Sequence, residues 1–491
     1  MKIFNTLNGR MEEFVSLKEG EVGLYTCGPT VYDYAHIGNF RAYVFEDFVR
    51  RTFEYLGYRV VQVMNLTDVD DKTIRRSQQE GVTLREYTDR YIQAFFEDIA
   101  LLGIEPAEHY PRATDHIPEM VAIIEDLLAK GIAYRKGDGI YFDLAKFPKY
   151  GALAKLDKAQ LKSGARVDVD EYDKENVQDF ALWKEAKEGE PFWETSLGKG
   201  RPGWHIECSA MSMKYLGPTF DLHMGGVDNI FPHHENEIAQ SEAHTGKPFV
   251  RYWLHVHHLI VDGTKMSKSL GNFHTLRGLI EKGFRQEVIR FLLLSTHYRK
   301  TLNFSFDALA QMEKSWQRIV NFQTELEGTL FGEKETPGLE DWLQESRSKF
   351  RAALEDDLNI SQALNTLFEF IKEGNLRLSR GEIGASAANL ISETLKGFDS
   401  VFNLLPRGGQ GELTEEQKGL VEERNRFRRE KNFPEADRVR KLLLDQGILI
   451  EDTRNGGRWK RAYPRFFLSP LSPAGDKKGV SLVGQKALSA P

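Results

Sequence analysis

From Val22 to Cys27 the chain is apolar enough for a short buried strand, and Gly28 and Pro29 break it. Apolar residues then recur at Phe40, Val44, Phe48, Phe53 and Leu56, the spacing of one helix face, until Gly57 ends the run. The β-branched stretch YRVVQVMNLTD from Tyr58 suits a strand covered on both faces. Strand, helix and strand in that order predict an α/β fold, a doubly wound parallel sheet that binds ligands at the carboxyl ends of its strands. Strand and helix signals resume in PTFDLHMGGVDNIFPHHENEIAQ, residues 218–240, and in WLHVHHLIVDGTKMSKSLGN, residues 253–272.

Residues 111–200 mix short elements with charged loops such as LDKAQLKSGARVDVDEYDKEN and read as an insertion that splits the sheet domain into 1–110 and 201–305. Residues 306–405 are persistently helical and predict a helix bundle. PRGGQGE, from Pro406, reads as a linker into a small domain that ends near residue 463. Between Arg424 and Arg461 that domain carries twelve Lys or Arg against six Asp or Glu. The tail 464–491, rich in Ser, Pro, Gly and Ala, is expected to be disordered.

A length of 491 residues calls for several cores. The net charge of −7 argues against a nucleic-acid surface spread over the whole body and leaves a local basic patch to do that work. No run of about eighteen apolar residues occurs, and the start, MKIFNTLNGRMEEF, lacks the form of a secretory signal. The two cysteines form no disulfide framework, so a reducing, cytoplasmic compartment is expected.

Nine of the thirteen histidines fall between His205 and His274, together with Cys208. Pro232 suits the first turn of a helix, which sets His233 and Glu237 one turn apart on one face, able to share a metal ion. With Cys27 and Cys208 a four-donor zinc site is available. The bland reading stands beside it: lone cysteines pack as small hydrophobes, and HHENE fits a solvated helix face. Two other metal motifs fail. HIEC at His205 has no PCxxC partner, and HExxH from His234 meets Ile238 where the second histidine belongs. His36, Gly38 and Asn39 follow the first strand, where a helix N-terminus attracts phosphate. The segment KMSKS places Lys265 and Lys268 on a Gly-flanked loop, a suitable clamp for polyphosphate.

Taken together, YTCGPTVYDYAHIGN, NLTDVDDK, GWHIECSAM, DLHMGGVDNIFPHHENEIAQSEA, KMSKSLGN and GILIEDTRNGGRWKR resemble the cysteinyl-tRNA synthetases, a class I aminoacyl-tRNA synthetase family, over residues 1 to about 461. The resemblance implies a Rossmann-like catalytic domain with a connective insertion, then a helix bundle and a small α+β anticodon-binding domain. It implies an ATP-dependent cysteine–tRNA ligase acting on L-cysteine, ATP with Mg2+, and tRNA(Cys), with one zinc ion on Cys27, Cys208, His233 and Glu237. It assigns His36, Asn39, Lys265 and Lys268 to catalysis. ATP contacts fall to those four with Gly38 and Asp228. The substrate pocket falls to Gly28, Thr30, Thr67, Trp204 and His223, although Trp204 equally suits a core and Asp228 a helix cap. Arg426, Asp437, Asp452 and Trp459 are carried over as tRNA contacts. A monomer is expected.

Asn39 departs from the histidine that commonly closes the first signature. Arg454 and Gly457 depart from the usual distal pattern. Two rival readings share the catalytic half: a zinc-dependent cysteine:amino-sugar ligase of mycothiol synthesis, which lacks the distal domain, and a nonenzymatic RNA-binding relative.

Overall fold

The computed structural model describes residues 1–156, 161–167, 177–267, 270–329, 331–406, 414–446, 448–453 and 456–461. Lys268, Arg454, most of the expected linker and the tail 464–491 lie outside the described residues. The chain divides into two compact units, Met1–Gly409 and Gln410–Pro491.

The first unit is built on a four-stranded parallel sheet. Strand β1 (Glu21–Thr26) leads through helix α1 (Ile37–Tyr55) to β2 (Arg59–Met64). Helix α2 (Trp204–Leu216) then precedes β3 (Phe220–Gly226), which leads through α3 (His233–Thr245) to β4 (Val250–Val256). The order is β4-β3-β1-β2. The two strand–helix–strand halves run outward from β1 and β3, which pair Leu24 with Leu222. That is the topological switch point, and the crevice beyond the carboxyl ends of β1 and β3 is where such a sheet binds ligands.

Helix α1 starts at Ile37, three residues before the first apolar position of its stripe, because His36 caps it. Phe40, Val44, Phe48 and Phe53 are buried as their spacing requires, but so are four charged residues of the same helix, Arg41, Glu46, Asp47 and Arg50. The Arg41 guanidinium donates to the carbonyls of Leu293, Thr296 and His297, and Asp47 pairs with Arg290. Glu46 has neither: both carboxyl oxygens are buried without a hydrogen-bond partner, and burial pushes its pKa to about 8.

Between β2 and α2 the chain forms helix Ile117–Ala129 and an antiparallel sheet in which Gly139–Phe142 and Gly198–Pro202 flank Val177–Glu185. Phe142, Phe180 and Leu182 of this sheet share one hydrophobic core with Tyr25, Val63, Ile206 and Trp253. Helices Phe306–Gly328, Leu339–Glu355, Ile360–Ser379 and Ala385–Phe402 make the bundle, where Phe350 stacks on Phe398 at 4.3 Å. No helix among the described residues is long and apolar enough to cross a membrane.

The second unit contains helices Glu415–Arg429 and Phe433–Asp445 and the antiparallel pair Ile448–Thr453 and Gly456–Arg461. Val439, Leu443, Ile448 and Ile450 form its core.

Candidate active site

At the end of β1 the Cys27 N–H donates to Met224 of β3 at 3.2 Å. Gly28 follows with its N–H on Asn65 Oδ1 at 2.9 Å, and a Cβ built on it would lie 1.8 Å from the Asn65 carbonyl oxygen. Only glycine lets the turn approach the end of β2 so closely. Thr30 and Thr67 bridge the same two segments. Thr67 is buried, its hydroxyl donating to Glu207 at 3.0 Å and accepting from Asn65 at 3.1 Å.

Cys27, Cys208, His233 and Glu237 converge here, each offering a donor atom within 4.8 Å of the others. They come from the end of β1, from α2 and from the first turns of α3. His233 Nε2 stands 3.2 Å from Glu237 Oε1. The outer atoms are committed elsewhere: His233 Nδ1 meets His205 Nδ1 at 2.9 Å, and Glu237 Oε2 meets His223 Nε2 at 2.9 Å. Glu237 Oε1 is buried and has no hydrogen-bond partner, since its contact with His233 is short but not in hydrogen-bonding alignment. Two sulfurs, an imidazole nitrogen and a carboxylate oxygen are a donor set that fits zinc, and outer hydrogen bonds of this kind fix how ligands point.

Sequence reasoning weighs His234 only as the start of an HExxH motif and sets it aside. It is fully buried, with Nε2 3.2 Å from Cys27 Sγ and Nδ1 2.8 Å from His255 Nε2, and it belongs to a second overlapping set with Cys27, His223 and Glu237. Its position three residues before Glu237 was the available signal. Burial lowers the pKa of His223 and His255 to about 3 and that of His205 and His234 well below the usual range, so these imidazoles are neutral. Burial, with Cys208 beside it, pushes Glu237 up, and burial likewise raises the Cys27 thiol. Burial also works against the Cys208 thiolate, but hydrogen bonds from Cys27 and Tyr25 and the nearby His223 together outweigh it and hold that pKa down.

Trp204, at the start of α2, stacks on His233 with ring centres 4.2 Å apart. His223 is completely buried and stacks on Trp253 at 4.5 Å. Asp228 is exposed in the turn Val227–Ile230 after β3.

His36 Nδ1 accepts the Asn39 N–H at 3.3 Å, and Asn39 Oδ1 accepts the His36 N–H at 3.1 Å, a reciprocal cap on α1. Asn39, the departure from the signature, supplies half of it. A Cβ on Gly38 would come within 2.9 Å of the His36 ring and 3.2 Å of Met266. The second signature reaches the same place: Ile37 N–H donates to His274 O at 3.0 Å, His36 bridges Thr275, and Phe273 meets the His36 ring edge-on at 5.3 Å. Lys265 is exposed at the end of Thr264–Lys265, and Asn272 clasps the loop through Ser267 N–H at 2.8 Å and Lys265 O at 3.2 Å. In the second unit Arg426 lies over Phe427 at 5.3 Å and Asp437 lies on helix Phe433–Asp445. Asp452 and Trp459 stand on opposite strands of the terminal pair, where Ile450 is the partner of Trp459.

Residues 13–314 match the family described as tRNA synthetases class I (C) catalytic domain, and residues 349–406 match the DALR domain. The chain belongs to the cysteinyl-tRNA synthetase family. It is 48% identical over 467 residues to the cysteine–tRNA ligase of Chlamydia felis, covering 94% of this chain and 97% of that one. The ligase of Koribacter versatilis is 45% identical over 492 residues, with 94% and 99% covered. Among solved structures, methionyl-tRNA synthetase of Mycobacterium tuberculosis in complex with methionyl-adenylate superimposes with a TM-score of 0.59 at 14% identity, covering 78% of this chain and 90% of that one. This last likeness concerns the fold. Family membership makes the chain an enzyme, a class I aminoacyl-tRNA synthetase.

Proposed function

We propose that this chain joins L-cysteine to the 3′-terminal adenosine of tRNA(Cys) in two steps at the crevice between β1 and β3. The observation that carries the reading is the meeting of Cys27, Cys208, His233 and Glu237 beside Trp204. His36 lies on the same turn after β1, and the segment following Lys265 is hydrogen-bonded to that turn. We choose this ligand set over the one with His223 and His234 because it holds both thiols and because His223 Nε2 is already committed to Glu237. A zinc ion in that set supplies a soft Lewis acid that accepts a thiolate readily and an alcohol poorly.

In the first step a carboxylate oxygen of cysteine attacks the α-phosphorus of ATP, carried with Mg2+. An O–P bond forms, the bond to the β-phosphate oxygen breaks, and pyrophosphate leaves. Charge grows on the phosphoryl oxygens and the leaving group, so donors fixed in advance lower the barrier. With Nδ1 accepting from Asn39, the neutral His36 ring carries its proton on Nε2, which we assign as the donor to phosphate. Gly38 allows the nucleotide close to the backbone, Asp228 holds the adenosine, and Lys265 and Lys268 neutralise the pyrophosphate. Trp204 and His223 wall the cysteine pocket, with Gly28, Thr30 and Thr67 shaping its floor. In the second step a terminal ribose hydroxyl attacks the carbonyl carbon and AMP departs.

The second unit supports selection of the RNA through Arg426, Asp437, Asp452 and Trp459, as a domain distinct from 201–305 and the bundle 306–405. The two free thiols at the site fit a reducing cytoplasm. The test is cysteine-dependent exchange of labelled pyrophosphate into ATP followed by transfer to tRNA(Cys). Exchange followed by transfer to an amino sugar, and none to RNA, would overturn the reading.

A further inference from the structure

The loop between Pro29 and His36 carries two tyrosines that the chemistry above leaves unused. Tyr34 is 45% exposed, among the more exposed large side chains of the described residues. The guanidinium of Arg277 lies over its ring at 5.1 Å, and Tyr91 meets it at 5.5 Å in an edge-on arrangement. Arg277 is not a loose cation: Asp98 and Glu97 hold it at 2.8 Å each, and it also donates to Ala94 O at 3.1 Å. Tyr91 in turn packs on Tyr87, whose hydroxyl donates to Tyr32 O at 2.7 Å. Tyr34 is therefore a ring held from behind while a large part of it faces solvent. Two residues before it, Tyr32 carries the Lys72 ammonium at 5.6 Å.

The place of this ring matters as much as its exposure. His36 and Thr275 form the bridge that closes the two nucleotide signatures on each other, and Tyr34 and Arg277 stand two residues out from that bridge on its two segments. The ring is thus on the rim of the crevice, next to the group assigned to phosphate. Rigid aromatics interleaved with cations are how proteins hold single-stranded nucleic acid, the ring taking a base face and the cations following the backbone. A lone surface tyrosine serving only to cover Arg277 would need no support from Tyr91 and Tyr87.

We infer that Tyr34 is a stacking platform for a base of the unpaired 3′ end of the RNA substrate, guiding the terminal nucleotides to the crevice. This rests on the proposed transfer to tRNA for its biological use, but the platform can be tested without it. The probe is a fluorescent RNA minihelix with an unpaired 3′-terminal CCA, alongside the same minihelix trimmed to a blunt end. The full chain is compared with Tyr34→Ala and Tyr34→Trp.

Tyr34→Ala is expected to weaken binding of the CCA-ended minihelix about tenfold, to leave the blunt one unchanged, and to keep cysteine-dependent pyrophosphate exchange and the KM for ATP within about twofold of the parent. Tyr34→Trp is expected to bind as the parent does. Equal affinities of parent and Tyr34→Ala for the CCA-ended minihelix would overturn the inference. So would a raised KM for ATP in Tyr34→Ala with RNA binding unchanged, which assigns the ring to the nucleotide. If the parent performs no cysteine-dependent exchange yet Tyr34→Ala loses only the CCA-dependent binding, the platform stands and the proposed reaction fails.

Discussion

The Ile37 N–H donates to the carbonyl oxygen of His274 at 3.0 Å, and this one bond ties the start of α1 to the segment that follows Lys265. Two short signatures, each too brief to mean much alone, are a single piece of backbone here. Whatever shifts the loop around Lys265 is felt at the His36 cap.

Asn39 is the first place to test that coupling. Asn39→Ala removes the acceptor for the His36 N–H and frees the turn, at a cost of about 1 kcal/mol by the usual effect of losing a cap. We expect a lower unfolding midpoint and a reduced kcat for pyrophosphate exchange, with the KM for cysteine little changed. Asn39→Asp, which keeps the acceptor oxygen, is expected to recover the stability. Denaturant titration with exchange kinetics reads both.

Metal analysis of the purified chain is expected to find about one zinc per chain. Cys208→Ser and Glu237→Gln should both lower that content, because each removes one of four converging donors. Chelation should also weaken the preference for cysteine over serine, which differ by one atom and are poorly told apart by volume alone. Full zinc in Cys208→Ser would contradict the assignment.

Removing the chain from Pro406 onward deletes the second unit, which has its own core at Val439, Leu443, Ile448 and Ile450. The expected outcome is pyrophosphate exchange retained and transfer to tRNA lost. Circular dichroism shows whether the shortened protein is folded. A folded product lacking both activities would refute the division of labour.

Glu46 makes a pH prediction. Its carboxyl is neutral in the folded chain up to about pH 8, whereas an unfolded glutamate ionises near its ordinary value of about 4.3. The stability this group contributes is therefore complete below that lower value and is lost as pH rises towards 8, with a ceiling of about 4 kcal/mol at pH 7. Glu46→Gln cannot ionise. The stability difference between variant and parent should shift in favour of the variant from pH 5 to pH 8, as measured by denaturant unfolding at each pH. A difference independent of pH would show that Glu46 is ionised when folded.

The sheet was legible because period and punctuation agree: the apolar run before Gly28, the stripe from Phe40 and the β-branched run after Tyr58 each became the expected element. Convergence of Cys27, Cys208, His233 and Glu237 was legible only because the residues form ordered signatures, since spacing alone could not bring α2 beside α3. The partners behind them were hidden. His205 was weighed as part of a deaminase-like HxE, and instead it holds His233; His234 was passed over for its neighbour. Nor does helical periodicity mark Arg41 and Asp47 as buried, because their burial depends on carbonyls and an arginine some 250 residues away in the sequence, and nothing local marks Glu46, which is buried without a partner. The antiparallel sheet between β2 and α2 was read only as an insertion, since long-range strand pairing leaves no local trace.

Gly28 bears on anyone who would refit this crevice to another amino acid. Because a single added carbon there would collide with the Asn65 carbonyl, the floor between β1 and β2 cannot be remodelled by side-chain choice. Thr67 beside it is tied to Glu207 and Asn65, so a new hydroxyl or amide there must first replace two buried bonds. On the proposed reading, room for a larger substrate is sought at the half-buried Trp204, and any smaller ring there also gives up its stack on His233.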